Sequence, residues 1–363
     1  PQVDGLPKAK ETALHYFKEH GYATAAVQTN GHLQSKYGFG EGCDAYDDMT
    51  WANATQVTDH LVDALPKMKG PFFVYAHYWD PHAPYAPPEP DRTAFGPVPE
   101  FTTQDVKWRE EADHFKPYYM DKILHDMGKK PQRDFSDLSE QGRERLRTLY
   151  DGDCHYTDRE VHRLLSFIAR KYPDTIIVIT ADHGEEFWEH NSIGHAKTVY
   201  QEVIHVPLMI KIPGQTARKV AGAAENIDIL PTLAAACGFE ARPAWQGKSL
   251  LDQAISDRPV FSETKGSLPE TELDKEMVLR GGKKLIRDHA KPAELYDLKQ
   301  DPGEKKNVLD TSAAAARELQ KSLDAHNTAA EGHPLAKIPP SNTALDADTK
   351  EQLKSLGYIG GDK

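Results

Sequence analysis

Three short stretches of the chain hold side chains that could act on an anion. The first is TIIVITADHGEEFWEHNSIG (175–194), where a run of branched apolar residues leads straight into Asp182-His183-Gly184. A carboxylate oxygen and an imidazole nitrogen on adjacent residues can both ligate one divalent cation. A glycine after them lets the backbone turn so that both point into one site. The plain alternative is a helix N-cap, since Asp often fills that position after a strand. The second stretch is PFFVYAHYWDPHAPYAPPEP (71–90), with His77, Asp80 and His82 after another apolar run. Prolines at 81, 84, 87 and 88 stiffen the backbone around His82. A stiff loop holds an imidazole as an anion contact or a general acid requires, although proline density equally fits a surface loop. The third stretch is 194–214, with His195 and Lys197 ahead of a helical turn and a strand. A cation there could neutralise a developing anion; the usual fate of a lysine is solvation.

Such groups need rigid elements behind them. Residues 8–20 predict an amphipathic helix stopped by Gly21, Tyr22–Val27 a strand, and 53–67 a second helix closed by Gly70. PFFVYAH is continuously apolar, which suits a strand buried on both faces. Residues 137–171 predict helix, which Gly152 could divide in two. TIIVIT (175–180) is the strongest strand, VPLMIKI (206–212) is another, 225–237 reads as a helix and 244–251 as a loop. Residues 95–135 are charged and irregular and are not placed. The alternation predicts an α/β domain over 1–254, a doubly wound mixed or parallel sheet flanked by helices. Ligands bind such sheets at the carboxyl ends of the strands, which is where Asp182 and His183 fall. Over 255–363 the rhythm changes. VFSE, EMVLRG, KKLIRD and AELYDL predict short antiparallel strands, with helices at 312–330 and 347–356, hence a smaller C-terminal α+β subdomain and helical tail.

Composition narrows the function. Apolar residues are 39% and charged residues 28% of 363, which excludes collagen and fits disorder or a membrane bundle poorly. Forty-four basic against 56 acidic residues leave −12, so no nucleic-acid partner is expected and an anion site must be locally cationic. No apolar run approaches eighteen residues, so no membrane span is expected, and residues 1–17 lack the pattern of a signal peptide. Cys43, Cys154 and Cys237 are too few for a disulfide framework and form no CxxC pair.

Seven stretches in order resemble the sulfatase family of the alkaline phosphatase superfamily. They are GYATAAVQTNGHLQSKYGFGEGCDAYDD (21–48), PFFVYAHYWDPHAPYAPP (71–88), LYDGDCHYTDREVHRLL (149–165), TIIVITADHGEEF (175–187), GHAKTVYQEVIHVPLMIKIPG (194–214), NIDILPTLAAACGF…QGKSLL (226–251) and KKLIRD…AELYDLKQDPGEKKNVL (283–309). The tail LKSLGYIGG (353–361) looks like the end of many bacterial members. Each motif alone is weak, and the ordered set is specific. The resemblance implies an alkaline phosphatase-like fold and hydrolysis of a sulfate monoester, carried by a small molecule or a glycan. It also implies a divalent metal, calcium first, with magnesium, manganese and zinc as alternatives, and a formylglycine nucleophile made from Cys or Ser. Asp182 and His183 match the metal pair, with many relatives having Asn at the second place. His82 matches the histidine on the sulfate ester. His195, with Lys197 in competition, matches the cation between the bound anion and the leaving group, and the spacing to Tyr200 allows either. His32 lies near a Lys/His pair of many relatives, though TNGHL departs from that pattern. Relatives are often periplasmic or secreted. Oligomeric state and the alcohol are not readable, although Trp79, Trp108 or Trp188 could stack on a sugar ring.

The nucleophile motif is missing. Cys43, Cys154 and Cys237 all lack proline two places on, and Ser267-Leu268-Pro269 lacks the arginine and falls in the C-terminal subdomain. The early strand ending in an Asp pair is missing too; Asp47-Asp48 belong to a later family segment. The chain therefore reads as a sulfatase without its first segment, inactive alone, whose sheet lacks a strand. Two other readings stand beside it: a phosphonate or phosphodiester hydrolase of the same superfamily, and a non-catalytic binding module.

Overall fold

A computed structural model describes residues 2–5, 11–105, 138–220, 222–252, 257–265, 274–333 and 341–344. Trp108, Ser267–Pro269 and the segments 347–356 and 353–361 fall outside them. The chain forms two compact units, Pro1–Tyr172 with Lys337–Lys363 and Pro173–Ala336.

In the first unit, strand β1 (Gln2–Gly5) pairs antiparallel with Ser341–Ala344. Thr12 caps α1 (Ala13–Glu19) by accepting from the His15 amide at 3.2 Å. Strands β2 (Ala23–Gln28), β3 (Ala45–Asp48) and β4 (Phe72–Ala76) are parallel, in the order β3–β2–β4. Side chains alternate across β4. Phe73 stacks on Phe17 of α1 at 4.3 Å. Phe72, Val74 and Ala76 instead join Val27, Leu164, and Val57 and Leu61 of α2 (Ala54–Ala64). Helices thus lie on both faces, as double winding requires. Burial of β4 on both faces is nevertheless incomplete: it lies at the edge of the described sheet, and Tyr75 is 42% exposed.

Helix α3 (Glu140–Lys171) runs 32 residues without a break. The expectation that Gly152 might divide it fails for a packing reason. A Cβ on Gly152 would lie 2.8 Å from Pro87 Cγ and 3.1 Å from the Asp91 carbonyl oxygen. The glycine admits the proline-rich loop against the helix, and its propensity penalty of about 1 kcal/mol is small beside the packing of a long helix. The loop is stitched down: Asp153 accepts from the Ala86 amide at 2.9 Å, and Asp91 takes His155 Nδ1 and the Arg159 guanidinium, each at 2.8 Å.

In the second unit, β5 (Ile177–Thr180) pairs antiparallel with β8 (Leu208–Lys211), whose Met209 is 56% exposed. Between them lie a two-residue hairpin, β6 (Glu186–Phe187) with β7 (Ile193–Gly194), and the single turn α4 (Gln201–Ile204). Helix α5 (Ile229–Ala236) follows. Strands β9 (Val260–Lys265), β10 (Asp274–Arg280), β11 (Lys283–Asp288) and β12 (Glu294–Asp297) form the expected antiparallel meander. One face of it (Val278, Leu285, Leu295) packs on Leu319 and Leu323 of α6 (Ala313–Gly332). The other (Met277, Ile286, Tyr296) packs on Val199 and Tyr200.

Candidate metal and anion site

Strand β5 delivers the chain to Asp182 with Thr180 already exposed. The Asp182 carboxylate accepts from the His183 amide at 3.0 Å, and its second oxygen lies 3.6 Å from His183 Nε2. Two ligands at right angles on one calcium ion stand about 3.5 Å apart, so the pair has the spacing of two ligands on one ion. His183 Nδ1 donates to the Gly184 carbonyl at 2.9 Å, which leaves the lone pair on Nε2, beside the carboxylate. The Asp182 side chain is 71% exposed, so two ligands are offered and the remaining ones must come from elsewhere.

The turn is shaped by Gly184. Its amide donates to the Val203 carbonyl at 2.7 Å, and a Cβ there would stand 2.2 Å from the Glu202 carbonyl oxygen. No other residue fits without moving α4. Behind the pair, the His195 ring stacks on His183 at 3.9 Å and 26°. His195 Nδ1 meets Glu185 Oε1 at 3.0 Å, both side chains buried. Gly194 and Ala196 both take left-handed backbone, at φ 87° and 63°, which swings His195 inward. Lys197 is also buried, but its ammonium donates to the Ile193 carbonyl at 3.1 Å. The structure therefore joins Asp182, His183 and His195 in one group and turns the Lys197 amine to the backbone of the β7 strand.

Sequence reasoning passed over Glu185 and Glu186. Glu186 is buried, accepts from the Ser192 and His190 amides at 2.8 and 3.1 Å, and is pushed above the usual carboxyl range by burial. The signal was present as two acids directly after DHG, in a strand too short to show a period.

His82 lies in the first unit, where the loops after β3 and β4 meet. Its Nδ1 donates to the Ala83 carbonyl at 2.7 Å, and its ring packs on Trp79 at 4.1 Å. Trp51, at φ 69°, meets Trp79 edge-on at 4.5 Å. His77 pairs with Thr29 through Nδ1 at 2.8 Å. Asp80 caps α2 by accepting from the Ala54 amide at 2.6 Å, and burial raises its carboxyl. The His32 ring is held below its ordinary pKa by burial. Trp188 sits at φ 69°, 6.4 Å from Phe187.

Another acid–histidine group, Asp274, Glu276 and His289, lies on the C-terminal sheet. Glu276 already receives the Arg287 guanidinium and the Asn327 amide, and Arg287 holds its carboxyl low against the opposing effect of burial. Its charge is met without an ion.

The architecture is that of the alkaline phosphatase-like enzymes. A 2-O GAG sulfatase superposes with TM-score 0.69 at 22% identity over 96% of this chain and 79% of that one. The phosphonate monoester hydrolase of Silicibacter pomeroyi gives 0.67 at 21%, over 91% and 81%. Within that class, the family model for sulfatases matches residues 1–239, and the chain belongs to the sulfatase family. The multifunctional alkaline phosphatase superfamily protein PehA of Trinickia caryophylli is 27% identical over 302 residues, covering 73% of this chain and 57% of the relative. The choline-sulfatase of Rhizobium meliloti is 29% identical over 48% of this chain and 35% of its own length. The chain spans about half the length of such relatives. No helix among the described residues is long and apolar enough to cross a membrane.

Proposed function

We propose that this chain carries the metal pair and the anion contacts of a sulfuric ester hydrolase acting on a sulfate monoester of a small molecule or glycan. The observation that carries the reading is the 3.6 Å Asp182–His183 pair at the carboxyl end of β5, backed by His195 and Glu185. A divalent ion there, calcium by preference, would draw charge from the sulfate oxygens and make sulfur attackable. Asp182 supplies an oxygen and His183 the Nε2 lone pair. His195, oriented by Glu185 and stacked on His183, is the proposed anion contact, with Lys197, whose ammonium gives one of its three donors to the Ile193 carbonyl, as the competing candidate. The resemblance to the family, not a contact, gives His82 the role of touching the ester oxygen and supplying the proton for the leaving alcohol; its ring is held by its own backbone and Trp79.

No Cys-x-Pro stands in these 363 residues, so on this reading the nucleophile is supplied from outside them, and background turnover is expected from the 363 residues alone. The resemblance to the family favours a periplasmic or secreted setting. The experiment joins the chain to a Cys-x-Pro-bearing family segment with formylglycine installed, and compares 4-nitrophenyl sulfate with a phosphodiester and a phosphonate monoester. Preference for the sulfate supports the proposal. Preference for either phosphorus ester moves the chain to the sister activity, to which the phosphonate hydrolase neighbours also belong by fold. Inactivity on all three, with the fold intact, leaves a binding module.

A further inference from the structure

The C-terminal meander and the loop after it carry two further motifs of the second unit, KKLIRD and DPGE, and no residue of either enters the site above. One of them is unusual. Lys284 of β11 is 0% exposed, and its ammonium lies 2.6 Å from Glu304 Oε1. Glu304 is also buried and takes left-handed backbone at φ 54°, a conformation that a glutamate holds only under constraint. Its other oxygen accepts from the Gln201 amide at 2.7 Å, and its carbonyl receives His190 Nε2 at 3.0 Å. Lys284 also reaches Gln201 Oε1 at 3.4 Å. Both ends of the pair therefore converge on the first residue of α4.

That single turn is too short to stand by itself. It is fixed from behind by Glu304 and, along its length, by Glu202 on His190 Nδ1 at 2.5 Å, with the His190 ring stacked on Tyr200 at 3.6 Å. From its front the Val203 carbonyl takes the Gly184 amide, while the Glu202 carbonyl fills the space a side chain at 184 would need. Gly184 in turn accepts from the His183 ring. An unbroken line of short polar contacts thus leads from the C-terminal sheet to the imidazole of the metal pair.

We propose that Lys284 and Glu304 are positioning residues: a buried ion pair that fixes the start of α4 and through it the Asp182–His183–Gly184 turn. Its bearing on metal binding rests on the function proposed above, whereas the mechanical link does not. Leaving one partner buried without the other is strongly destabilising, while removing both charges together is far milder. A pair that only stapled the sheet would loosen the whole second unit alike.

The test is hydrogen–deuterium exchange of the full 363-residue chain. In Lys284→Met, exchange in peptides covering 182–186 and 201–205 should rise by about tenfold or more, with α2 unchanged and α5 changed least. Adding Glu304→Gln should restore most of the protection, since the amide oxygen can still accept from Gln201. Gly184→Ala pushes on the same turn from the other end and should loosen 201–205 reciprocally. Protection at 182–186 that stays at the wild-type level in Lys284→Met, or that changes only in step with α5, overturns the proposal. If Lys284→Met does not fold, Gly184→Ala decides from the far end: raised exchange in peptides covering 283–286 and 301–306 supports the link, and unchanged exchange there overturns it. A calcium titration followed by thermal shift separates the two claims. Coupled exchange keeps the positioning role whatever calcium does; because Asp182 and His183 offer only two ligands, the metal reading is judged by the same titration on the chain joined to the family segment that completes the site, where no response to calcium sinks it.

Discussion

Two histidine-bearing loops of this protein are held by opposite means. His82 sits in a segment stiffened covalently: prolines fix the backbone and a long helix, notched at Gly152, receives it. His183 and His195 sit where the backbone is freest, at Gly184, Gly194 and a left-handed Ala196, and are held by carboxylates and close backbone contacts. Constraint written into the covalent chain survives loss of any one neighbour. Constraint assembled from neighbours depends on each of them. The second loop should therefore be the more fragile.

The sharpest test of that contrast is Gly184→Ala. A methyl group 2.2 Å from the Glu202 carbonyl oxygen forces α4 away, and the loss should reach about 3 kcal/mol in a denaturant melt. A loss below 1 kcal/mol would mean that the turn is softer than its contacts suggest. Next is Gly152→Ala. In an ordinary helix interior this exchange stabilises by about 1 kcal/mol. Here the new Cβ meets Pro87, so the sign should reverse, to a loss of about 1 kcal/mol. A higher melting temperature would show that the proline loop yields.

The pH dependence sharpens the comparison from the side of charge. Burial opposes a charge on His190, but the hydrogen bond to Glu202 outweighs it, and the ring's pKa stands above its unfolded 6.5. Burial likewise works against the Glu202 charge, and His190 more than offsets it, so that carboxyl stands below 4.5. The histidine's contribution is complete below pH 6.5 and fades as pH rises through its raised value. The carboxylate's is complete above 4.5 and fades as pH falls through its lowered one. His190→Gln should therefore lose most, about 1 kcal/mol, between those limits and least once pH has risen past the ring's raised value. A deficit that stays flat from pH 5 to 9 in urea melts would refute the pairing.

The smallest effect belongs to the proline loop. Burial, and then the nearby Asp80, push the Asp153 carboxyl up to about 8. A raised carboxyl favours the folded state when protonated and burdens it when charged. The unfolded carboxyl ionises near 3.8, so the burden grows from there up to about pH 8. Asp153→Asn keeps an acceptor for the Ala86 amide, so it should leave stability near pH 4 unchanged and raise Tm progressively, by several degrees at pH 9. An equal gain at both pH values would point to some other cause.

The same contrast separates what the sequence made legible from what it did not. Runs such as TIIVIT, PFFVYA and KKLIRD gave their strands, because apolar residues bounded by Gly, Pro and Asp have few other uses. Asp182 and His183 were legible as neighbours after a strand, and His82 as a ring in a proline-rich loop. Glu185, Glu202 and Lys284 were not. Each acts through a partner 10 to 20 positions away along the chain, and no local period marks such a bond. Gly152 misled because its local meaning, a weak point in a helix, was overruled by a loop 65 positions earlier. The spacing to Tyr200 leaves His195 and Lys197 level, because both side chains are buried and the left-handed Ala196 between them sends them to different partners, which no spacing records.

Met209 stands in the middle of β8 with more than half of its surface in water, while Met277, inside the C-terminal sheet, is 4% exposed. Among the described methionines a thioether so placed is the natural first casualty of peroxide, and its sulfoxide would lodge a dipole between the hydrocarbon side chains of Leu208 and Ile210. Stored samples should age there first, so a reductant and an argon headspace belong in any preparation meant to last.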